Sequence, residues 1–121
     1  MKLFSTKVHG FLDYTVSLIF IVSPWLFGFA NGGASQWFPI ILGIASILMS
    51  IFTDYEAGLV RNIPMIFHLG IDVVAGLFLA LSPWVFGFAH NVTLPHLVLG
   101  LFECFAGLTT AAVPRTKVAL I

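Results

Sequence analysis

His9 and Asp13 stand four residues apart, and so do His68 and Asp72. On a helix that spacing sets an imidazole and a carboxylate on one face, one turn from each other. Three kinds of chemistry are open to such pairs. Each His can bond to the Asp on its own helix, neutralising it and locking the first and third helices together. The acids can pass protons or ions along a pathway. Both pairs together offer two nitrogens and two carboxylates, a set adequate for Zn2+, Mn2+ or Fe2+. The spacing matches no established ligand motif, and pattern alone does not bring the pairs together. The local pairing is the favoured reading, and neither a metal nor a cofactor is assigned.

The surroundings make these residues expensive. Of the 121 residues, 60% are hydrophobic and 8% charged, with a mean hydropathy of +1.07, which places the chain in the membrane class. Asp72 falls about 12 Å into an apolar segment at 1.5 Å per residue. A carboxylate near a helix centre costs about 2.5–3.5 kcal/mol on insertion scales, whereas each Leu, Ile, Phe or Val returns only about 0.3–0.6. Such a group must face protein or water and must have a partner. Zero net charge removes the electrostatic case for nucleic acid. The lone Cys104 cannot form an internal disulfide and has no basic neighbour to activate a thiolate. No phosphate loop, CxxC, HExxH or Ser-His-Asp arrangement occurs, so a non-enzymatic protein is expected.

What positions the pairs is a repeat. Ser23–Ala30 reads SPWLFGFA and Ser82–Ala89 reads SPWVFGFA, identical at seven of eight positions. The same offset of fifty-nine relates His9 to His68, Asp13 to Asp72 and Leu18 to Leu77. One unit has been written twice. Repeat one covers about residues 7–53 and repeat two about 64–113, each with two apolar segments: Lys7–Val22 and Gln36–Thr53, then Pro64–Leu81 and Leu94–Val113. The short loops 31–35 and 90–93 make each repeat an antiparallel hairpin. The expectation is an all-α, four-helix transmembrane bundle of two tandem parallel hairpin repeats. Ser before Pro reads as a helix start, so Ser23 and Ser82 are expected to break the long helices. Pro24 and Pro83 would then open short interfacial turns carrying Trp25 and Trp84. Recurrence of Gly-Phe-Ala inside the chain argues against a signal-peptide cleavage after Ala30.

Lys2, Lys7, Arg61, Arg115 and Lys117 all fall on the side away from the octapeptides. The positive-inside rule therefore gives a multi-pass protein of the cell (inner) membrane with both termini cytoplasmic. Beyond Gly43, where the second loop is shorter, the repeat offset is fifty-seven, which aligns Gly43, Ser46 and Ser50 with Gly100, Glu103 and Gly107. Small residues at this spacing mark a packed helix face, so Glu103 is expected to point into the bundle. An acid in one repeat only is the sharpest functional hint in the chain. His90 and His96 flank the second loop and read as interfacial polar residues. Asn91-Val92-Thr93 matches a glycosylation sequon and is set aside, because its loop hugs the membrane.

The two Ser-Pro-Trp octapeptides and the repeated helix pair around them resemble the SPW-repeat family of small prokaryotic integral membrane proteins. The resemblance implies paired transmembrane helices, joined in some relatives to other domains. It supplies no reaction, ligand or catalytic residue. The function expected is structural or accessory, with the lipid bilayer, a second copy or another membrane protein as partner. The alternative is a small transporter or proton conductor using Asp13, Asp72 and Glu103.

Overall fold

The four apolar segments become four helices in the computed structural model, which describes residues 2–114: α1 (Thr6–Leu26), α2 (Ala34–Ile51), α3 (Met65–Val85) and α4 (Leu94–Thr109). Ser5 opens α1, its hydroxyl accepting from the Val8 amide at 3.2 Å. Ala34 and Ser35, read from sequence as loop, form the first turn of α2. The 21 residues of α1 and of α3 span about 30 Å each, the thickness of a bilayer core. By length and composition α1, α2 and α3 are able to cross a membrane, while α4, with 16 residues, reaches only about 24 Å.

The fourth helix stops short of the expected Val113 because the chain turns extended at Thr110 and pairs with Phe4 ahead of α1. Thr53, just beyond α2, pairs with Ile63 ahead of α3 in the same way. Each repeat's end is thus tied to the start of a repeat, and the arrangement closes on itself.

Within each repeat the helices form an antiparallel hairpin, α1 on α2 and α3 on α4. Contact in the second hairpin is close enough that a Cβ on Gly76 would lie 2.6 Å from the carbonyl oxygen of Gly100, so backbone meets backbone there. The repeats are parallel. His9 and His68, near the starts of α1 and α3, touch at one end, while Phe29 and Phe88, just past their ends, meet His96 at the other. Between these ends lies an apolar centre of Val16, Phe20 and Leu79, flanked by Leu12, Phe38, Leu42 and Leu99.

The distribution of residues is inverted relative to a water-soluble bundle. Phe11, Leu18, Phe67, Val74 and Leu108 face outward, while His9, Asp13, Ser17, Ser50, His68, Asp72 and Glu103 are buried. Apolar surroundings reward that arrangement, because polar groups then find partners inside and apolar side chains meet lipid.

The octapeptides depart from the sequence expectation. Neither Ser23 nor Ser82 breaks a helix: α1 continues through Pro24 to Leu26, and α3 through Pro83 to Val85. Proline has no N–H for the carbonyl four residues back, which is Phe20 for Pro24 and Leu79 for Pro83. The preceding serine fills the gap. Ser23 Oγ donates to the Phe20 carbonyl at 2.8 Å, and Ser82 Oγ to that of Leu79 at 2.6 Å. Each helix then ends at a glycine, Gly28 at φ 75° and Gly87 at φ 74°. The Phe29 amide donates to the Pro24 carbonyl at 2.7 Å and the Phe88 amide to that of Pro83 at 2.8 Å, the Schellman closure. Trp25 and Trp84 do face outward, 62% and 55% exposed, at the end carrying both hairpin loops.

This pairing of serine with proline predicts a compensation. Ser23→Ala leaves the Phe20 carbonyl without a donor and should lower stability by about 1–3 kcal/mol. Adding Pro24→Ala returns a backbone N–H, so the double variant should unfold in detergent at a higher temperature than Ser23→Ala alone. A double variant as unstable as the sum of the single changes would contradict the compensation.

Candidate functional site

Asp13 and Asp72 each lie seven residues into their helices, about 10 Å from the helix start. Equal depth on parallel helices brings the two pairs face to face. His9 Nε2 is 3.0 Å from Asp13 on its own helix and 2.9 Å from Asp72 on the other. His68 Nε2 lies 3.2 Å from both Asp13 and Asp72. The imidazole rings meet edge to face, 5.5 Å apart. All four side chains are buried. The i,i+4 pairing expected from sequence is present, but it is half of the arrangement; the other half crosses between repeats.

The outer nitrogen of each ring is held in the same manner. Thr53 Oγ1 donates to the Met49 carbonyl at 2.7 Å, so towards His68 Nδ1, also at 2.7 Å, it can only accept. Thr110 Oγ1 donates to the Ala106 carbonyl at 2.6 Å and accepts from His9 Nδ1 at 2.7 Å. Both rings therefore carry hydrogen on Nδ1 and turn Nε2 towards the carboxylates. Thr53 and Thr110 share the repeat offset of fifty-seven, so their equivalence is written in the sequence.

The connector between α2 and α3 covers this cluster. Tyr55 donates its hydroxyl to Asp13 Oδ2 at 2.5 Å, Thr6 donates to Glu56 at 2.6 Å, and Tyr14 donates to the Ala57 carbonyl at 2.9 Å. Gly10 permits the approach, since a Cβ there would lie 2.5 Å from that of Ala57. Burial first, and then the Asp13 carboxylate, push the Tyr55 phenol above its ordinary range, so it remains a donor. Nothing in the spacing of the sequence pointed to Tyr55.

Glu103 is 8% exposed and points into the bundle, as the small-residue stripe implied. It lies near enough to feel the charges of Asp72, Asp13, His9 and His68, yet it makes no hydrogen bond or ion pair with a described residue. Cys104 beside it donates to the Val73 carbonyl at 3.2 Å.

At the other end of the bundle His96 is not the interfacial residue expected; it is 1% exposed. Its ring lies between Phe29 and Phe88, the last aromatic residues of the two octapeptides, with both centroids 4.8 Å away. Nε2 donates to the Ser35 carbonyl at 2.8 Å. That carbonyl is the one Pro39, four residues on within α2, cannot serve. His96 thus does for Pro39 what Ser23 and Ser82 do for their neighbours. His90, by contrast, is exposed.

A polar cluster enclosed by two repeated helical hairpins, with apolar residues turned outward, defines a small helical membrane protein. The SPW repeat domain family matches residues 7–110, and the chain belongs to that family. The matched span contains both octapeptides, all four residues of the cluster and both threonines. Comparison with curated proteins and with solved structures gives no match.

The two threonines test the cluster without touching its charges. Thr53→Val and Thr110→Val keep shape but leave a buried imidazole N–H unpaired, so each should cost about 1–3 kcal/mol in thermal unfolding. Thr→Ser at either position should restore most of the loss. A neutral valine at both sites would contradict the tautomer assignment.

Proposed function

We propose that this is a non-enzymatic scaffold protein of the membrane, structural or accessory to other membrane components, whose His9–Asp13–His68–Asp72 cluster ties its two repeats together. One observation carries the reading. Asp13 and Asp72 converge on a buried cluster, their contacts directed at His9, His68 and Tyr55, all buried. A groove of about 730 Å³ between α2 and α3 is lined by apolar side chains such as Phe38, Leu42, Phe67 and Phe78 and includes no member of the cluster. A groove of that character suits a lipid chain. The absence of a recognisable nucleophile–base pair in the sequence supports a protein without catalysis.

The same reading orients the chain. Lys2, Lys7 and Arg61 lie towards the cluster end, which is taken as cytoplasmic; Arg115 and Lys117 fall outside the described residues. In a Cys104→Ser background, cysteines at Gly33 and Thr93 should label from outside intact cells. A cysteine at Leu59, which is 78% exposed in the connector, should label only after permeabilisation. Labelling of Leu59→Cys in intact cells would reverse the orientation.

A second reading, proton or ion conduction, draws on Glu103, a buried acid beside the cluster without a hydrogen-bond partner among the described residues. The two readings separate on Glu103→Gln, which removes the ionisable group and keeps the size. For a scaffold, the variant should unfold at the wild-type temperature or above it, and wild-type vesicles should show no pH-driven proton flux above empty liposomes. A flux present in wild type and lost in Glu103→Gln would end the scaffold reading.

A further inference from the structure

The inner nitrogen of His68 is the one polar atom of the cluster that hydrogen bonding does not account for. It is fully buried and stands 3.2 Å from a carboxylate oxygen on each side, yet it forms a hydrogen bond with neither. Thr53 already takes the hydrogen on Nδ1, so in the neutral ring a lone pair at Nε2 faces two carboxylates. Lone pair against anion is repulsive, and two carboxylates held against the same nitrogen repel each other as well. Positive charge must stand among them, supplied either by a proton on Nε2 or by a bound cation.

We propose that His9, Asp13, His68 and Asp72 bind a divalent first-row transition-metal ion, of the Zn2+ class, at the interface between the two repeats. His9 Nε2, His68 Nε2 and one oxygen from each Asp lie within 4.8 Å of one another. Ligands about 2.0–2.2 Å from a tetrahedral ion lie about 3.2–3.6 Å from each other. His9 Nε2 and His68 Nε2 share Asp72 Oδ2, at 2.9 and 3.2 Å, separations that need to open by only a few tenths of an ångström. On Asp13 they meet different oxygens, Oδ1 at 3.0 Å and Oδ2 at 3.2 Å, so that carboxylate must turn to present one of them to the ion. Neutral imidazole nitrogens with carboxylate oxygens suit Zn2+, Co2+ or Mn2+ better than a hard, all-oxygen ion such as Ca2+.

The outer contacts are those a metal site requires. Ligating histidines donate their other N–H to an oxygen that sets tautomer and ring plane, which Thr53 and Thr110 accept here. A ligating carboxylate is itself held by a donor, which Tyr55 supplies to Asp13. Charge balances too: two carboxylates neutralise one divalent ion. Four protein ligands with no open position describe a structural site, not a catalytic one. The inference deepens the scaffold reading and rests on it: the cluster ties the repeats, and the ion is what it ties them with.

The test uses the full chain in detergent, stripped with a chelator and then given Zn2+ or Co2+. Wild type should retain one ion per chain after desalting, by elemental analysis, with a higher unfolding temperature than the stripped protein. The Co2+ form should show the intense visible absorption of tetrahedral coordination. His68→Gln and Asp72→Asn should lose the stoichiometric ion, Thr53→Val should weaken it about 10–100-fold, and His90→Gln, at an exposed histidine, should leave it unchanged. If His68→Gln does not fold, the wild-type Co2+ spectrum and the Thr53→Val affinity still decide. Wild type that retains no stoichiometric Zn2+ or Co2+, or an ion equally retained by folded His68→Gln, overturns the metal site. That result leaves the scaffold reading intact, whereas a proton flux would end the scaffold and leave a measured metal stoichiometry standing.

Discussion

Two aspartates inside helices that are otherwise apolar must find their partners within the protein, and most of this structure follows from meeting that demand. Lipid offers no hydrogen bonds, so a carboxylate on α1 is tolerable only where donors or positive charge face it. The partners come from four directions: a histidine one turn back, the histidine of the other repeat, Tyr55 from the connector, and threonines that orient the rings. Meeting them sets the relative position of α1 and α3, folds the connector down onto α1, and ends α2 and α4 where Thr53 and Thr110 can reach.

The same rule governs the prolines. A helix in lipid that contains proline exposes a carbonyl without a donor, a serious cost where water is absent. At Pro24, Pro83 and Pro39 a side chain answers: a serine from the preceding position twice, and His96 from the other repeat once. His96 thereby joins the repeats at the loop end as the cluster joins them at the other. The interface between repeats is polar at both ends and apolar in the middle, where Phe20 and Leu79 pack.

Duplication explains the symmetric parts of this arrangement and draws attention to the asymmetric ones. The His–Asp pair, its threonine and the Ser-Pro pair occur once per repeat. Tyr55, Glu103 and His96 do not: at the offset of fifty-seven their counterparts are Ala112, Ser46 and Pro39. Tyr55 and Ala112 nonetheless pack in one small apolar cluster with Met65 and Leu69. The two halves of the site therefore share a geometry and differ in electrostatics, because Asp13 receives a phenol hydroxyl that Asp72 does not.

Composition and repetition alone determined the membrane class, the four helices, the two parallel hairpins and the residues of the cluster. Those properties are written in local hydropathy and in a fixed offset, which require no knowledge of packing. The sequence also placed Glu103 inside, because a stripe of small residues defines a helix face by periodicity. Three matters were decided only by tertiary structure. The cross-repeat contacts of His9 and His68 depend on how far apart two parallel helices lie and how they are rotated, which spacing along the chain does not specify. The course of α1 and α3 through Pro24 and Pro83 depends on a hydroxyl reaching a particular carbonyl, and local propensity for a helix start gave the opposite expectation. The burial of His96 depends on a carbonyl freed by Pro39 fifty-seven residues earlier, a relation between two helices that neither helix's own sequence contains.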